Sequence, residues 1–200
     1  MKNKEDFNNY INIFLEQNSK LNLISKNDEK FLWEKHIVDS LSIEKFFEKY
    51  IPPQKINTLL DFGTGGGFPS VPIAINYPNI KVTAIDSIRK KINAITNIKE
   101  ELNLTNLTPI CGRVETLDKK FDVITSRAVA NLGKIVEYAI PRLKDNGYFV
   151  AYKSVKAHEE INDAKLTLKK YKAKIIDIIQ YDLPLEENHT RNLVIISKQK

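Results

Sequence analysis

The residues best suited to chemistry lie in one stretch, Leu59-Leu60-Asp61-Phe62-Gly63-Thr64-Gly65-Gly66-Gly67-Phe68-Pro69, where four glycines fill five successive positions. Gly63, Gly65 and Gly67 alternate, so the pattern is D-x-G-x-G-x-G; the G-x-G-x-x-G of nicotinamide enzymes would need glycine at Phe68. Without a Cβ the backbone can turn sharply and let a ligand lie against it. A second apolar run ends at Asp86, 23 residues after Gly63. That is about the spacing at which an acid accepts hydrogen bonds from ribose hydroxyls. Asp86 by itself also reads as a cap for a helix beginning after Ser87. Loop and acid together suit a nucleoside-bearing ligand.

These residues need strand ends and helix starts to hold them. Candidate strands are Thr58–Phe62, Lys81–Asp86, Leu107–Cys111, Phe121–Thr125 and Gly147–Lys153, then Ala173–Ile179 and Asn192–Ser197 with a Pro-containing loop between them. Ile88, Ile92, Ile95, Ile98 and Leu102 form one helical stripe, and residues 155–171 predict another helix. Before the first strand the pattern is helical throughout. Phe7, Ile11, Phe14 and Leu15 mark one helix, and a second is expected from an N-cap at Asn27 to the break at Pro52–Pro53. Alternating strands and helices closed by a strand pair predict an α/β fold. It is the Rossmann-like, mostly parallel seven-stranded sheet of class I S-adenosylmethionine-dependent methyltransferases, with an N-terminal helical extension at 1–53 and a single compact unit at 54–200.

Methyl transfer to oxygen or an exocyclic amine usually calls for a base or a dipole-gripping motif after the fourth strand. That position reads Ile124-Thr125-Ser126-Arg127-Ala128-Val129, with no N-P-P-Y-like run. Carbon-5 pyrimidine methylation needs a thiol, and the one cysteine, Cys111, falls late in a strand as a core residue would. The N7 atom of guanine has an in-plane lone pair and no proton, so in-line positioning is enough. A site without a base permits that chemistry and also permits a non-enzyme. His36, Asp39 and Ser40 share one helix face, where three groups from adjacent turns cannot form a hydrolase relay. They are expected as packing or surface positions.

Composition narrows the classes further. With 200 residues, 42% of them hydrophobic, one domain can bury its own core. A single cysteine excludes an internal disulfide or a cysteine zinc site, and His36, His158 and His189 are too scattered to suggest a metal. MKNKEDFNNY carries acids and no apolar core, so neither a secretory signal nor a membrane span is expected, and the location predicted is cytoplasmic. The first fifty residues hold 8 Lys against 9 acids, a net of −1 within a total of +6, which leaves +7 for the rest. That surplus fits an anionic partner and equally a lysine-rich solvated surface.

Several segments in order, His36-Ile-Val-Asp-Ser-Leu41, the loop Asp-Phe-Gly-Thr-Gly-Gly-Gly-Phe-Pro, Asp86-Ser87, Arg113-Val-Glu115, Ser126-Arg-Ala-Val129 and Arg191-Asn-Leu-Val-Ile-Ile-Ser-Lys198, resemble the RsmG (GidB) family. The resemblance runs over roughly residues 20–198, with Ser70 where many members have glycine. It implies transfer of methyl from S-adenosylmethionine to guanine N7 in 16S ribosomal RNA, whether naked, in the 30S subunit or in an assembly intermediate. Cofactor contacts are implied at Asp61, Gly63, Gly65, Gly67 and Phe68 in the loop, at Asp86 on the ribose, and at Val114 and Glu115 near the adenine. Arg127 is implied at the mouth of the site, both as a cofactor contact and in a positioning role with no general base. His36, Arg89, Lys90, Lys153 and Arg191, with Lys91, are candidates to touch RNA, and a monomer needing no metal is expected. Two alternatives stay open, a class I methyltransferase for a small molecule and a non-catalytic RNA-binding protein.

Overall fold

A computed structural model describes residues 2–186 and 189–198; Glu187 and Asn188 of the Pro184 loop, and the last two residues of the 54–200 unit, lie outside the described residues. Helices α1 (Asn8–Leu21), α2 (Lys26–Glu29), α3 (Asp39–Leu41) and α4 (Glu44–Lys49) come first, with a π-helical segment, Leu32–Val38, between α2 and α3. Then follow β1 (Thr58–Phe62), α5 (Ser70–Asn76), β2 (Lys81–Asp86), α6 (Arg89–Glu101), β3 (Leu107–Cys111), β4 (Phe121–Arg127), α7 (Leu132–Ala139), β5 (Leu143–Lys153), α8 (Ala157–Asp163), α9 (Lys165–Lys170), β6 (Ala173–Leu183) and β7 (His189–Lys198). The sheet order is β3-β2-β1-β4-β5-β7-β6. The first five strands are parallel, and β7 runs antiparallel to β5 and β6. The chain winds outward in both directions from the β1/β4 junction, which leaves a crevice at the carboxyl ends of those two strands.

Alternate strand residues bury into opposite layers, as a period of two requires. Leu59, Val82, Val123 and Val150 meet Phe7, Tyr10, Phe14, Phe46 and Phe47 of the helical extension in one cluster. Leu60, Ile124, Phe149 and Val194 meet α7 and α9 in the other. The extension therefore shares one core with the sheet.

Two expectations are corrected. The helical stretch after Asn27 begins earlier, because Ser25 has extended backbone and its Oγ accepts from the Asp28 amide at 3.2 Å. Asn27 sits inside the first turn. The stretch is also not one regular helix. Leu32 and Ile37 are both buried at a spacing of five, which a π turn aligns on one face and an α turn does not. The helix expected at 155–171 is divided at Ala164 into α8 and α9.

Candidate active site

The glycine loop leaves β1 and is fastened to the end of β2. The amides of Gly63 and Thr64 both donate to the Ile85 carbonyl, at 2.8 and 3.2 Å. The Gly65 amide donates to Asp86 Oδ2 at 3.0 Å, while Asp86 Oδ1 accepts from the Ile88 amide at 2.9 Å. Asp86 thus anchors the loop on one oxygen and the turn before α6 on the other, where the N-cap is Ile88 and not Asp86, and each oxygen keeps a second lone pair. Two glycines are required for different reasons. At Gly63 (φ +65°) a Cβ would collide with Val129 Cγ2. At Gly65 (φ +58°) a Cβ would meet nothing nearer than the Gly63 carbonyl at 3.9 Å, so the space beside it is open.

A cavity of about 500 Å³ opens here, and Gly63, Asp86, Val114 and Glu115 line it together. Four of the expected cofactor residues therefore converge. Asp61, Gly65, Gly67, Phe68 and Arg127 do not line the cavity. Asp61 is fully buried and accepts from Thr125 Oγ1 at 3.1 Å. Burial pushes its carboxyl up to about 6, against the opposing pull of Thr64, Thr125 and Arg127. Phe68, 4% exposed, packs edge-on to Phe14 and tilts against His36, so it joins the loop to the helical extension. Gly67 is pressed against Val71 and Ile95.

A second cavity, about 680 Å³, adjoins the first, and the two share Ala128 and Val129 as a wall. His36, Arg127, Lys153 and Arg191 all border it, whereas Arg89 and Lys90 are exposed at the start of α6 and border neither; Lys91 lines the first. Arg127 ends β4 with its guanidinium held on three sides. Nη1 donates to Asp39 Oδ2 at 2.8 Å and to the Lys35 carbonyl at 3.3 Å, Nη2 approaches His36 Nδ1 at 3.0 Å, and the group lies over Phe68. Arginine only donates, so His36 Nδ1 accepts and the imidazole proton is assigned to Nε2. Burial, then the Arg127 charge, lowers the His36 pKa to about 4, which keeps the ring neutral. Asp39 Oδ1 accepts from Tyr181 at 2.6 Å, and Tyr152 donates to the Ser40 carbonyl at 2.7 Å.

The H-x-x-D-S segment accordingly packs, as expected, and does so as a socket for Arg127. Tyr152 and Glu160 line the second cavity, Tyr181 supports it through Asp39, and none carries a spacing signal that would mark it. Cys111 is half-buried against the core rather than sealed inside it. Among the described residues no group of three or more His, Cys, Asp or Glu could hold a metal, and no helix is long and apolar enough to cross a membrane.

The family described as GidB, rRNA small subunit methyltransferase G, matches residues 3–194. The ribosomal RNA small subunit methyltransferase G of Bacillus licheniformis is 37% identical, over 98% of this chain and 82% of its own length. That of Staphylococcus saprophyticus is 36% identical, over 99% of this chain and 83% of its own. Among solved structures, TYW2 of M. jannaschii in complex with AdoMet superposes with a TM-score of 0.59 at 18% identity, covering 80% of this chain and 76% of that one. The shared architecture is the class I methyltransferase sheet.

Proposed function

This chain belongs to the GidB family, rRNA small subunit methyltransferase G, and from that premise we propose that it transfers a methyl group from S-adenosylmethionine to N7 of a guanine in 16S ribosomal RNA. The observation that carries the reading is the pair of cavities meeting at one wall, Ala128–Val129, at the carboxyl end of β4. One would take the methyl donor and the other the base.

The first cavity fits S-adenosylmethionine. The spare lone pairs of Asp86 suit ribose hydroxyls, and Gly65, which does not itself line the cavity, leaves open space beside the loop that Asp86 anchors. Gly63 would form the floor, with Val114 and Glu115 beside the adenine. Bound there, S-adenosylmethionine supplies an electrophilic methyl group on a sulfonium. N7 needs no deprotonation, which agrees with a site whose histidine is neutral and already hydrogen-bonded. Arg127 would act by position. Three of its five N–H groups are engaged, and two have no protein partner among the described residues. In an RNA helix the deep, narrow major groove hides N7, so the target nucleotide would be unpaired or flipped into the second cavity. His36, Lys153 and Arg191 would meet the RNA there, on naked rRNA, the 30S subunit or an assembly intermediate, with the protein a cytoplasmic monomer.

The test is to incubate the protein with small subunits that lack the modification and with labelled S-adenosylmethionine, then map the product. One N7-methylguanine in 16S rRNA is expected, with a single-turnover rate nearly flat between neutral and mildly basic pH. Label at another atom, or a rate rising tenfold per pH unit, overturns the N7 assignment. Turnover of small molecules with none of RNA favours the small-molecule alternative.

A further inference from the structure

Three carboxylates border the second cavity, and their hydrogen bonding differs. Asp28 is occupied on both oxygens, Oδ1 by Lys35 at 2.9 Å and Oδ2 by Ser25 at 2.7 Å. Asp39 is occupied on both as well, by Tyr181 and by Arg127. Glu160 puts two partners on one oxygen. Its Oε2 accepts from Lys153 Nζ at 2.6 Å and from the Leu132 amide at 2.7 Å. Oε1 has no partner among the described residues. The side chain is 24% exposed, and its Lys153 partner is 8% exposed, so a free acceptor is held by a buried anchor.

We propose that Glu160 reads the target guanine, its Oε1 accepting from the N1–H and N2 amino edge while N7 faces the donor cavity. The proposal rests on the guanine-N7 reading. Size permits it, since about 680 Å³ lies within the range of roughly 300–1,000 Å³ common for small-molecule sites. Chemistry favours it, because guanine offers two adjacent donors on that edge, whereas adenine has an acceptor at N1 and no amino group at C2. Electrostatics favours it too. Methyl transfer to N7 places a positive charge on the purine, and a fixed carboxylate beside the ring interacts more strongly as that charge develops. Position adds a further link: Lys153 Nζ also donates to the Ala130 carbonyl at 2.8 Å, so the reading group is tied to the loop that walls the two cavities. Glu160 borders a smaller hollow beside Asn131 and Thr167 as well, whereas its Lys153 partner lines the larger cavity alone.

Once the modified guanine has been mapped, small subunits can be assembled on 16S rRNA carrying either guanosine or inosine at that position. Inosine keeps N7, O6 and N1–H and lacks only the N2 amino group. Single-turnover methylation is measured for the native protein and for Glu160→Gln on both substrates. In the variant the amide oxygen can serve Lys153 and Leu132, which leaves an NH2 donor facing the donors of guanine. The native protein is expected to slow on inosine by roughly tenfold to a hundredfold, the size of one charge-assisted hydrogen bond. Glu160→Gln should slow on guanosine by a similar factor and lose most of the guanosine-to-inosine ratio. A native protein that methylates inosine as fast as guanosine overturns the proposal, even if the variant does not fold. A folded Glu160→Gln with the native ratio makes Glu160 a loop anchor and no more. Absence of N7-methylguanine in the native control defeats the N7 reading itself, an outcome distinct from both.

Discussion

The two adjoining cavities are built by opposite means. The first is built locally, from the glycine loop, the end of β2 and the turn after β3, with Asp86, Lys91 and Glu115 on its wall, all within residues 62–138. The second is made of side chains brought from residues 28–39, 127–130, 152–160 and 189–191, and most of its charges are already paired. The contrast fits the ligands proposed for them. A small donor of fixed shape is held by a rigid cradle. A base presented by a large RNA meets a surface that is charged yet mostly neutralised, with few donors and acceptors left to discriminate.

If the second cavity depends on pairing, breaking one pair should cost more there than any single change in the first. Asp39→Ala leaves Arg127, 16% exposed, without its carboxylate and Tyr181 without its acceptor. Urea denaturation should show a loss of about 3–5 kcal/mol, the usual cost of orphaning one partner of a buried pair. S-adenosylmethionine affinity, measured by calorimetry where the protein stays folded, should change less than twofold. A large loss of affinity would mean that the two cavities are one unit.

A pH comparison sharpens the difference, because a titrating group lies behind each cavity and the two act in opposite directions. Asp61, behind the first, ionises near 6 instead of 3.8, so its contribution to stability is complete below about pH 3.8 and is lost as the pH rises through 6. His36, in the second, ionises near 4 instead of 6.5, so its contribution is complete above pH 6.5 and is lost as the pH falls through 4. In Asp61→Asn the histidine effect is no longer opposed by Asp61, and stability should rise by about 2 kcal/mol from pH 4 to 6.5, after allowance for partial solvent screening. In His36→Asn it should fall by about 3 kcal/mol over that range, set by the fully buried Asp61. Parallel curves in the two variants would remove the opposition.

The same contrast explains what could be read from the sequence. β1, β2 and β3 lie at the bounds expected from their apolar runs, and Gly63 and Asp86 of the first cavity are legible in the sequence, since positive φ and close approach demand glycine and a strand end places the acid. The second cavity had no comparable signal. Tyr181 meets Asp39 across 142 residues, and Arg127 meets His36 across 91, contacts that only the assembled fold creates. Arg127 is marked by its place at the end of β4, but its engagement by the helical extension is not visible in the sequence. The π turn at Leu32–Val38 was hidden for a related reason, since a spacing of five between Leu32 and Ile37 looks like a break in helical periodicity until the core is known. Glu160 looked like any acid on an amphipathic helix.

Within the donor cavity, Asp86→Asn is the sharpest single change. Asparagine keeps one acceptor oxygen for either the Gly65 or the Ile88 amide and loses the charge that strengthens a bond to ribose. The loss should be about 1.5–3 kcal/mol of binding, a fall in S-adenosylmethionine affinity of roughly tenfold to a hundredfold. RNA affinity in a filter-binding assay should stay unchanged. A less than twofold effect on the donor would leave Asp86 as an anchor of the loop and turn only.

The smallest effect is expected at the rim of the second cavity, where Ser25 both starts α2 and holds Asp28. Its Oγ accepts from the Asp28 amide at 3.2 Å and donates to Asp28 Oδ2 at 2.7 Å, and Asp28 in turn pairs with Lys35. Ser25→Ala removes the cap and frees a carboxylate oxygen, and thermal or urea unfolding should register a loss of about 1 kcal/mol. Asn27 is exposed inside the turn, so Asn27→Ala should stay within about 0.5 kcal/mol of the native protein. The pair decides between two caps, since the sequence pattern favours Asn27 and the backbone at Ser25 favours Ser25. Should Asn27→Ala be the costlier change, the helix begins two residues later, and Asp28 has a free oxygen in the second cavity. Glu160 would then no longer be the one carboxylate there with an unoccupied acceptor, and the inosine comparison would have to be repeated on Asp28→Asn.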